Sequence, residues 1–311
     1  MSDIIRPFID RVSTENLSAW LKYLVKDPLP CRTMNFKRPG ASVPTLYEAD
    51  AYIADTVSSF GYTVEREACQ VQAYRCDEKK PIHHQYSAPL ETDPWYTAYN
   101  LYAMRTGTKF PKDLIVVISH KDSQSWVKLG PGAHDNGVGT VANMELARVL
   151  ADYTPQRSIW HVWCNEEHTP WTSAVTAKRA KDAGMNLVGA LNVDSFGGKS
   201  EEERGHMTNV TAYATPEGER IADRIAELNE KYAIGVEQRK HAREFPNDDD
   251  GSFVKAGMPA AVANVGSFPY VDPAYHLTDD KFENVDPMNQ LLVTRLILAT
   301  ILDLDQNGSP V

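Results

Sequence analysis

The sequence predicts an α/β fold of three layers, α/β/α, around a mostly parallel, mixed central sheet. Three observations carry that prediction. Short apolar runs alternate with segments of helical period along most of the chain, the pattern of strands joined by crossover helices. The run Leu114 to Ser119 is apolar without interruption until its last residue, as in a strand buried on both faces. No internal repeat and no Pro/Gly/Ser-rich linker divides the 311 residues, so one domain, 1–311, is expected.

The elements follow in order. Leu17, Trp20, Leu21 and Leu24 recur at helical spacing after Ser13-Thr14-Glu15, a cap with an acid in the first turn, and Pro28 and Pro30 stop that helix. A second helix carries Leu46, Ala49, Ile53 and Val57 and closes at Gly61. Tyr62 to Val64 opens a strand; residues 77–98, rich in Pro, Asp, Lys and His, read as an excursion without periodicity. Strands are expected at 101–104, 114–119, 158–164, 187–193 and 259–265, and helices at 137–152 and 173–183. Thr215-Pro216 and Asp286-Pro287 each start a helix with proline at the first position, the last helix running to Leu304.

Composition narrows the function. Hydrophobic residues make up 42% and charged residues 24% of a chain with net charge −10. That is globular composition. Its acidity argues against nucleic-acid partners and anionic membrane surfaces, both of which call for a basic face. Met1 to Arg6 shows no secretory leader, and no window reads as a membrane span. Cys31, Cys69, Cys76 and Cys164 match neither a zinc ribbon nor a disulfide framework, so reduced thiols and a cytoplasmic setting are expected.

Ligands in open α/β sheets bind outside the carboxyl ends of the strands, and the unusual residues gather there. Strand 114–119 runs into His120-Lys121-Asp122-Ser123, strand 158–164 into Asn165-Glu166-Glu167-His168, and strand 187–193 into Asp194. Pro131 to Gly137 carries His134-Asp135-Asn136, and the loop after Val265 carries Tyr275-His276-Leu277-Thr278-Asp279. Alone, each reads as a structural histidine, a helix cap or a solvated acid. Together they bring imidazoles and carboxylates to one rim, where the acids repel unless their charge is cancelled. Divalent cations do this. Mixed His and carboxylate ligation suits zinc, with cobalt or manganese as alternatives, and two histidines with three or four acids divide between two metals sharing one carboxylate.

These motifs resemble the two-zinc aminopeptidase family, whose zinc-exopeptidase fold is shared with glutaminyl cyclase, glutamate carboxypeptidase and the transferrin receptor. The likeness rests on His120-Lys121-Asp122-Ser123, Pro131 to Gly139, Glu166-Glu167, Asn192-Val193-Asp194 and His276-Leu277-Thr278-Asp279, and extends to Tyr47–Val64 and Asp249–Pro259. It implies that His120 and Asp194 hold one metal, that Glu167 and His276 hold the other, and that Asp135 bridges them. Glu166 would be the general base, Asp122 the support of His120, and Asp249 a further support. The implied activity is hydrolysis of N-terminal residues from peptides through a metal-activated water. Two alternatives stand beside it: a single-zinc acyltransferase like glutaminyl cyclase, and a non-catalytic binding module. His134, Asp250 and Ser119 stand where the family commonly has Asp, His and Gly, which touches substrate preference rather than the ligand set. His83 and His84 read as exposed and His161 as packed within the sheet, while His168 is open between site and structure. Trp126, Trp171, Phe268 and Tyr270 are candidates for lining a pocket, with Tyr270 also a candidate donor to an oxyanion.

Overall fold

Helices and strands alternate as the two periodicities predict. The computed structural model describes residues 4–268 and 270–310; Met1, Ser2 and Asp3, with which the leader reading begins, lie outside them. First come α1 (Ile5–Ile9), α2 (Thr14–Val25), α3 (Thr45–Ser59), β1 (Val64–Ala73), the short β2 (Arg75–Cys76) and β3 (Tyr86–Ser87), β4 (Tyr96–Arg105) and β5 (Phe110–His120). There follow α4 (Val138–Val149), β6 (Arg157–Cys164), β7 (His168–Thr169), α5 (Ser173–Asp182), β8 (Asn186–Val193) and β9 (Thr208–Tyr213). The order closes with α6 (Pro216–Lys231), β10 (Glu237–Ala242), α7 (Asp248–Lys255), β11 (Ala261–Val265) and α8 (Pro287–Asn307). Local chemistry sets several ends. Ser13 Oγ accepts from Asn16 N at the start of α2, Thr215 Oγ1 from Gly218 N at the start of α6, and Asp286 from Met288 N and Asn289 N at the start of α8.

Nine strands form one sheet in the order β10-β9-β11-β8-β5-β6-β4-β1-β7. The centre, β11-β8-β5-β6, is parallel. The flank β6-β4-β1-β7 is antiparallel, as is β11 against β9. Parallel pairing thus holds where helices make the crossovers. The flank follows from a direct connection between β1 and β4, which an antiparallel pair permits.

The central strands are covered on both faces. Along β5, Ile115 and Val117 join the larger core with α1–α4, α6 and α8, while Leu114, Val116 and Ile118 face α5 and α7. All five are fully buried, which is why the run shows no polar alternation. One qualification to the sequence reading lies at α8. By length and composition this helix is apolar enough to cross a membrane, yet 78% of the qualifying window is buried inside the protein. It is apolar because α1, α2, α4, α6 and the strands β5, β8 and β9 pack against it, and its buried Asn289, Gln290, Asp303 and Asp305 fit a core helix.

Candidate metal centre

The carboxyl ends of β5, β6 and β8 lie side by side at the middle of the sheet, and each delivers a polar side chain to one rim. His120 is the last residue of β5, Asp194 follows β8, and Glu166 and Glu167 stand two and three residues beyond β6. Asp135 comes from the tight turn ahead of α4. That turn is set by Asn136, whose Nδ2 donates to Val193 O at 2.9 Å and whose Oδ1 accepts from Gly139 N at 2.9 Å. His276 arrives on the loop after β11 with φ of +59°, a conformation non-glycine residues seldom hold without outside support.

The five residues meet. His120 Nε2 lies 3.0 Å from Asp135 Oδ1 and 3.4 Å from Asp194 Oδ1. His276 Nε2 lies 3.0 Å from Asp135 Oδ2 and 3.2 Å from Glu167 Oε1. The two oxygens of Asp135 therefore face different imidazoles. Ligand atoms of His120, Asp135 and Glu167 lie within 4.8 Å of one another, as do those of His120, Glu166 and Asp194.

Each imidazole is fixed from behind. His120 Nδ1 donates to Asp122 O at 3.2 Å and lies 3.3 Å from Asp122 Oδ1, and His276 Nδ1 donates to His83 O at 3.0 Å. Both rings therefore carry their proton on Nδ1 and turn Nε2 to the acids, the orientation a metal ligand needs. Asp122 also accepts from Glu166 N at 3.0 Å and from His168 Nδ1 at 2.7 Å, and His168 Nε2 accepts from Met34 N at 3.2 Å. His168 thus supports the site through Asp122. Asp135 is held by Gln124 Nε2 at 3.1 Å and, through its own N–H, by Asp280 Oδ2 at 3.0 Å.

The electrostatics are those of acids crowded out of water. Burial pushes Glu167 up to about 7, with the charge of Asp135 adding to it and His276 opposing. Burial also raises Glu166 well above the carboxylate range, reinforced by Asp249 and Asp248. Asp135 goes the other way: burial is outweighed by bonds from His120 and His276, which hold it below the usual range. His276 rises to about 10 because Glu167 and Asp135 overcome its burial. Glu166 Oε2 is buried without a hydrogen-bond partner among the described residues, an orphaned acceptor that calls for a ligand.

Other sequence candidates find their places. Trp126, Trp171 and Tyr270 line a cleft of about 90 Å³ together with Glu166, Glu167 and His276. Tyr275, from the rim loop that carries His276, also lines it, as do Tyr74, Tyr86, Asn247 and Asp248; no sequence pattern pointed to the last four. Phe268 instead lines a neighbouring cavity with His241 and Phe245. Tyr270 donates its hydroxyl to Asp248 Oδ2 at 3.1 Å, so the proton proposed for an oxyanion is already committed. His134 turns away from the cleft to bind Asp272 Oδ2 at 2.6 Å. Asp249 Oδ2 accepts from Cys164 Sγ at 2.9 Å, and Asp250 pairs with Arg243. His161 is buried in β6 as expected, donating to Asn143 Oδ1 at 2.9 Å. His83 corrects the sequence reading. It is only half-exposed, and its ring donates to Tyr275 O at 3.0 Å. The four cysteines are free thiols.

Comparison with known proteins gives the family and the fold. The description of peptidase family M28 matches residues 100–301, well over half of the chain. A probable aminopeptidase of Saccharomyces cerevisiae is 26% identical over 66% of this chain and 57% of its own length. A probable zinc metalloprotease of Pyrenophora teres f. teres is 28% identical over 78% of this chain and 49% of its own. The matched region thus spans about half the length of these relatives. Among solved structures, an aminopeptidase from Aneurinibacillus sp. strain AM-1 superposes with a TM-score of 0.71 at 15% identity, covering 99% of this chain and 97% of that one. A glutaminyl cyclase from Bacteroides thetaiotaomicron superposes with a TM-score of 0.70 at 16% identity, covering 94% and 98%. At such identities the likeness concerns the fold.

Proposed function

Since the chain belongs to peptidase family M28, we propose that it is a two-metal exopeptidase, an aminopeptidase that removes N-terminal residues from peptides. One observation carries the reading: two imidazoles each present Nε2 to a different oxygen of a single buried carboxylate, Asp135. His120 and Asp194 would hold one ion, Glu167 and His276 the other, and Asp135 both. The donors are imidazole nitrogens and carboxylate oxygens, a set that suits zinc. The crowded acids and the orphaned Glu166 oxygen supply the need for positive charge. When bound, such a pair polarises the peptide carbonyl and lowers the pKa of water toward about 7.

The chain's own groups do the rest. Glu166 lines the cleft with one oxygen unpartnered, which supports it as the group that would take a proton from water and return it to the leaving amine. Asp122 holds Glu166 through its backbone N–H and His120 through Nδ1, so base and ligand share one support. The aromatic walls exclude water from the reacting bond. Residues 1–311 act as one metallopeptidase domain in this reading, supported by the single sheet that contributes every strand-end ligand. A peptide or small amide is the substrate in this reading. The net charge of −10 supports neither a nucleic acid nor a membrane as partner, and the four free thiols support a cytoplasmic setting.

The test is a panel of amino-acid anilides and dipeptides on metal-quantified protein, with a chelator control. Two ions per chain and release of N-terminal residues are expected, with Glu166→Gln losing about 10²–10⁴ in rate while keeping its metal. Full activity in that variant removes the general base. A single ion per chain moves the reading to zinc-dependent acyl transfer.

A further inference from the structure

Ahead of the segment matched by the family description, residues 75–95 form a built excursion between β1 and β4. Its base is closed by Arg75, whose Nε and Nη2 donate to the two oxygens of Asp93 at 2.6 and 2.6 Å. Asp93 Oδ2 also accepts from Leu90 N at 2.8 Å, and Gln72 Nε2 donates to Asp93 O at 3.0 Å. Arg75 and Leu90 together hold the Asp93 carboxyl down at about 2. Higher up, β2 pairs with β3, and Asp77 N donates to Gln85 O at 2.7 Å. The excursion has its own hydrogen-bonded frame.

Its tip reaches the metal centre. The His83 ring donates from Nδ1 to Tyr275 O at 3.0 Å, and His276 Nδ1 donates to His83 O at 3.0 Å. These reciprocal bonds join residue 83 to two consecutive residues across the cleft mouth. Tyr86, from the same excursion, lies perpendicular to the His276 ring with centroids 5.9 Å apart, while Tyr275 stacks on that ring at 3.7 Å.

We propose that residues 75–95 are a positioning strap, and that His83 is the residue through which it fixes the tautomer and aim of His276. This rests on the two-metal reading above. The two ligand histidines are supported differently. His120 is steadied by Asp122, two residues along its own strand end, so its support folds with the sheet. His276 sits at a positive φ on a loop, and its Nδ1 partner is a carbonyl about 190 residues away in sequence. The metal position completed by His276 therefore depends on a docked strap, whereas the position held by His120 and Asp194 does not. A surface loop that merely covered the site would not separate the two.

The experiment is a competitive chelator titration of zinc into the metal-free full-length chain, comparing wild type with His83→Ala and His83→Asn. Wild type should take up two ions. His83→Ala should keep the tighter ion unchanged and bind the second about 10–100-fold more weakly, the usual consequence of losing a group that orients a metal ligand. His83→Asn should recover that affinity, because an asparagine Nδ2 stands where the imidazole Nδ1–H does and can donate to Tyr275 O. Two ions bound equally well in His83→Ala, both weakened alike, or no recovery in His83→Asn overturns the strap alone. Fewer than two ions in wild type overturns the two-metal reading, and the strap with it.

Discussion

Asp122 touches three groups at once: the Glu166 amide, the His168 ring and the His120 ring, at 3.0, 2.7 and 3.3 Å. Burial opposes its ionisation, yet the bonds from His120 and His168 hold it below the ordinary carboxylate range. In Asp122→Asn one acceptor becomes a donor facing another N–H. Zinc affinity at the His120 position should fall about 10–100-fold, read by chelator competition; an unchanged affinity would contradict the supporting role. His161 gives a residue-scale prediction about acid. Its burial lowers its pKa to about 3 from 6.5, so between those values the unfolded chain binds a proton that the folded chain does not. Stability contributed by the neutral ring is complete above pH 6.5 and declines as the pH falls toward 3. At roughly 1.4 kcal/mol per unit the loss amounts to a few kcal/mol. Urea denaturation of His161→Phe against wild type should show a shallower acid limb between pH 6 and 4; parallel limbs would exclude His161 as a source. The five candidate ligands could be read from the sequence because each is a titratable side chain at a strand or loop end. His83 could not, since what it offers His276 is a carbonyl oxygen common to every residue.

At the scale of elements, α4 and β8 approach as closely as backbone allows. A Cβ at Gly139 would lie 2.0 Å from Val193 O and 2.3 Å from Asn136 Oδ1. Gly139→Ala must therefore push the first turn of α4 away from the strand end that carries Asp194. A cost of about 1–3 kcal/mol is expected for such overpacking, together with weaker zinc binding, checked by thermal melts with and without metal. Where an element buries one apolar face, its pattern predicted it: α2, α3, α6 and the buried run of β5 stand within a few residues of their expected places. β9 was missed for a physical reason. Its Asn209 and Thr211 face the interior and bond to Asn264 Oδ1 at 3.1 and 3.0 Å, so a strand buried in all but its last residue reads as polar. β10 was missed because Glu237 to Ala242 lies at the sheet margin and is mostly exposed. α7 was missed because its eight residues open with Asp248, Asp249 and Asp250, which read as a solvated turn although all three are buried.

For the whole molecule, a bound cation pair would be a structural partner as much as a chemical one, because it would neutralise acids that the fold has already buried. Free zinc at one hundred times its dissociation constant should stabilise the native state by about 2.7 kcal/mol. For a chain of 311 residues that corresponds to a Tm higher by roughly 4 °C for each site filled, lost again on adding chelator; a Tm indifferent to metal would argue against binding within the buried cluster. The sheet has two free margins, and they are guarded differently. β7 is only two residues long, too short to template another strand. β10 is longer, but Arg239 and Lys240 lie along it, paired with Glu203 at 2.6 Å and with Asp223 at 2.7 Å. A second molecule docking there edge to edge would have to strip water from those charges, which is how exposed strands avoid polymerising. The double variant Arg239→Val, Lys240→Val should remove that barrier, and light scattering should then show concentration-dependent growth of particles that the unmodified chain does not form.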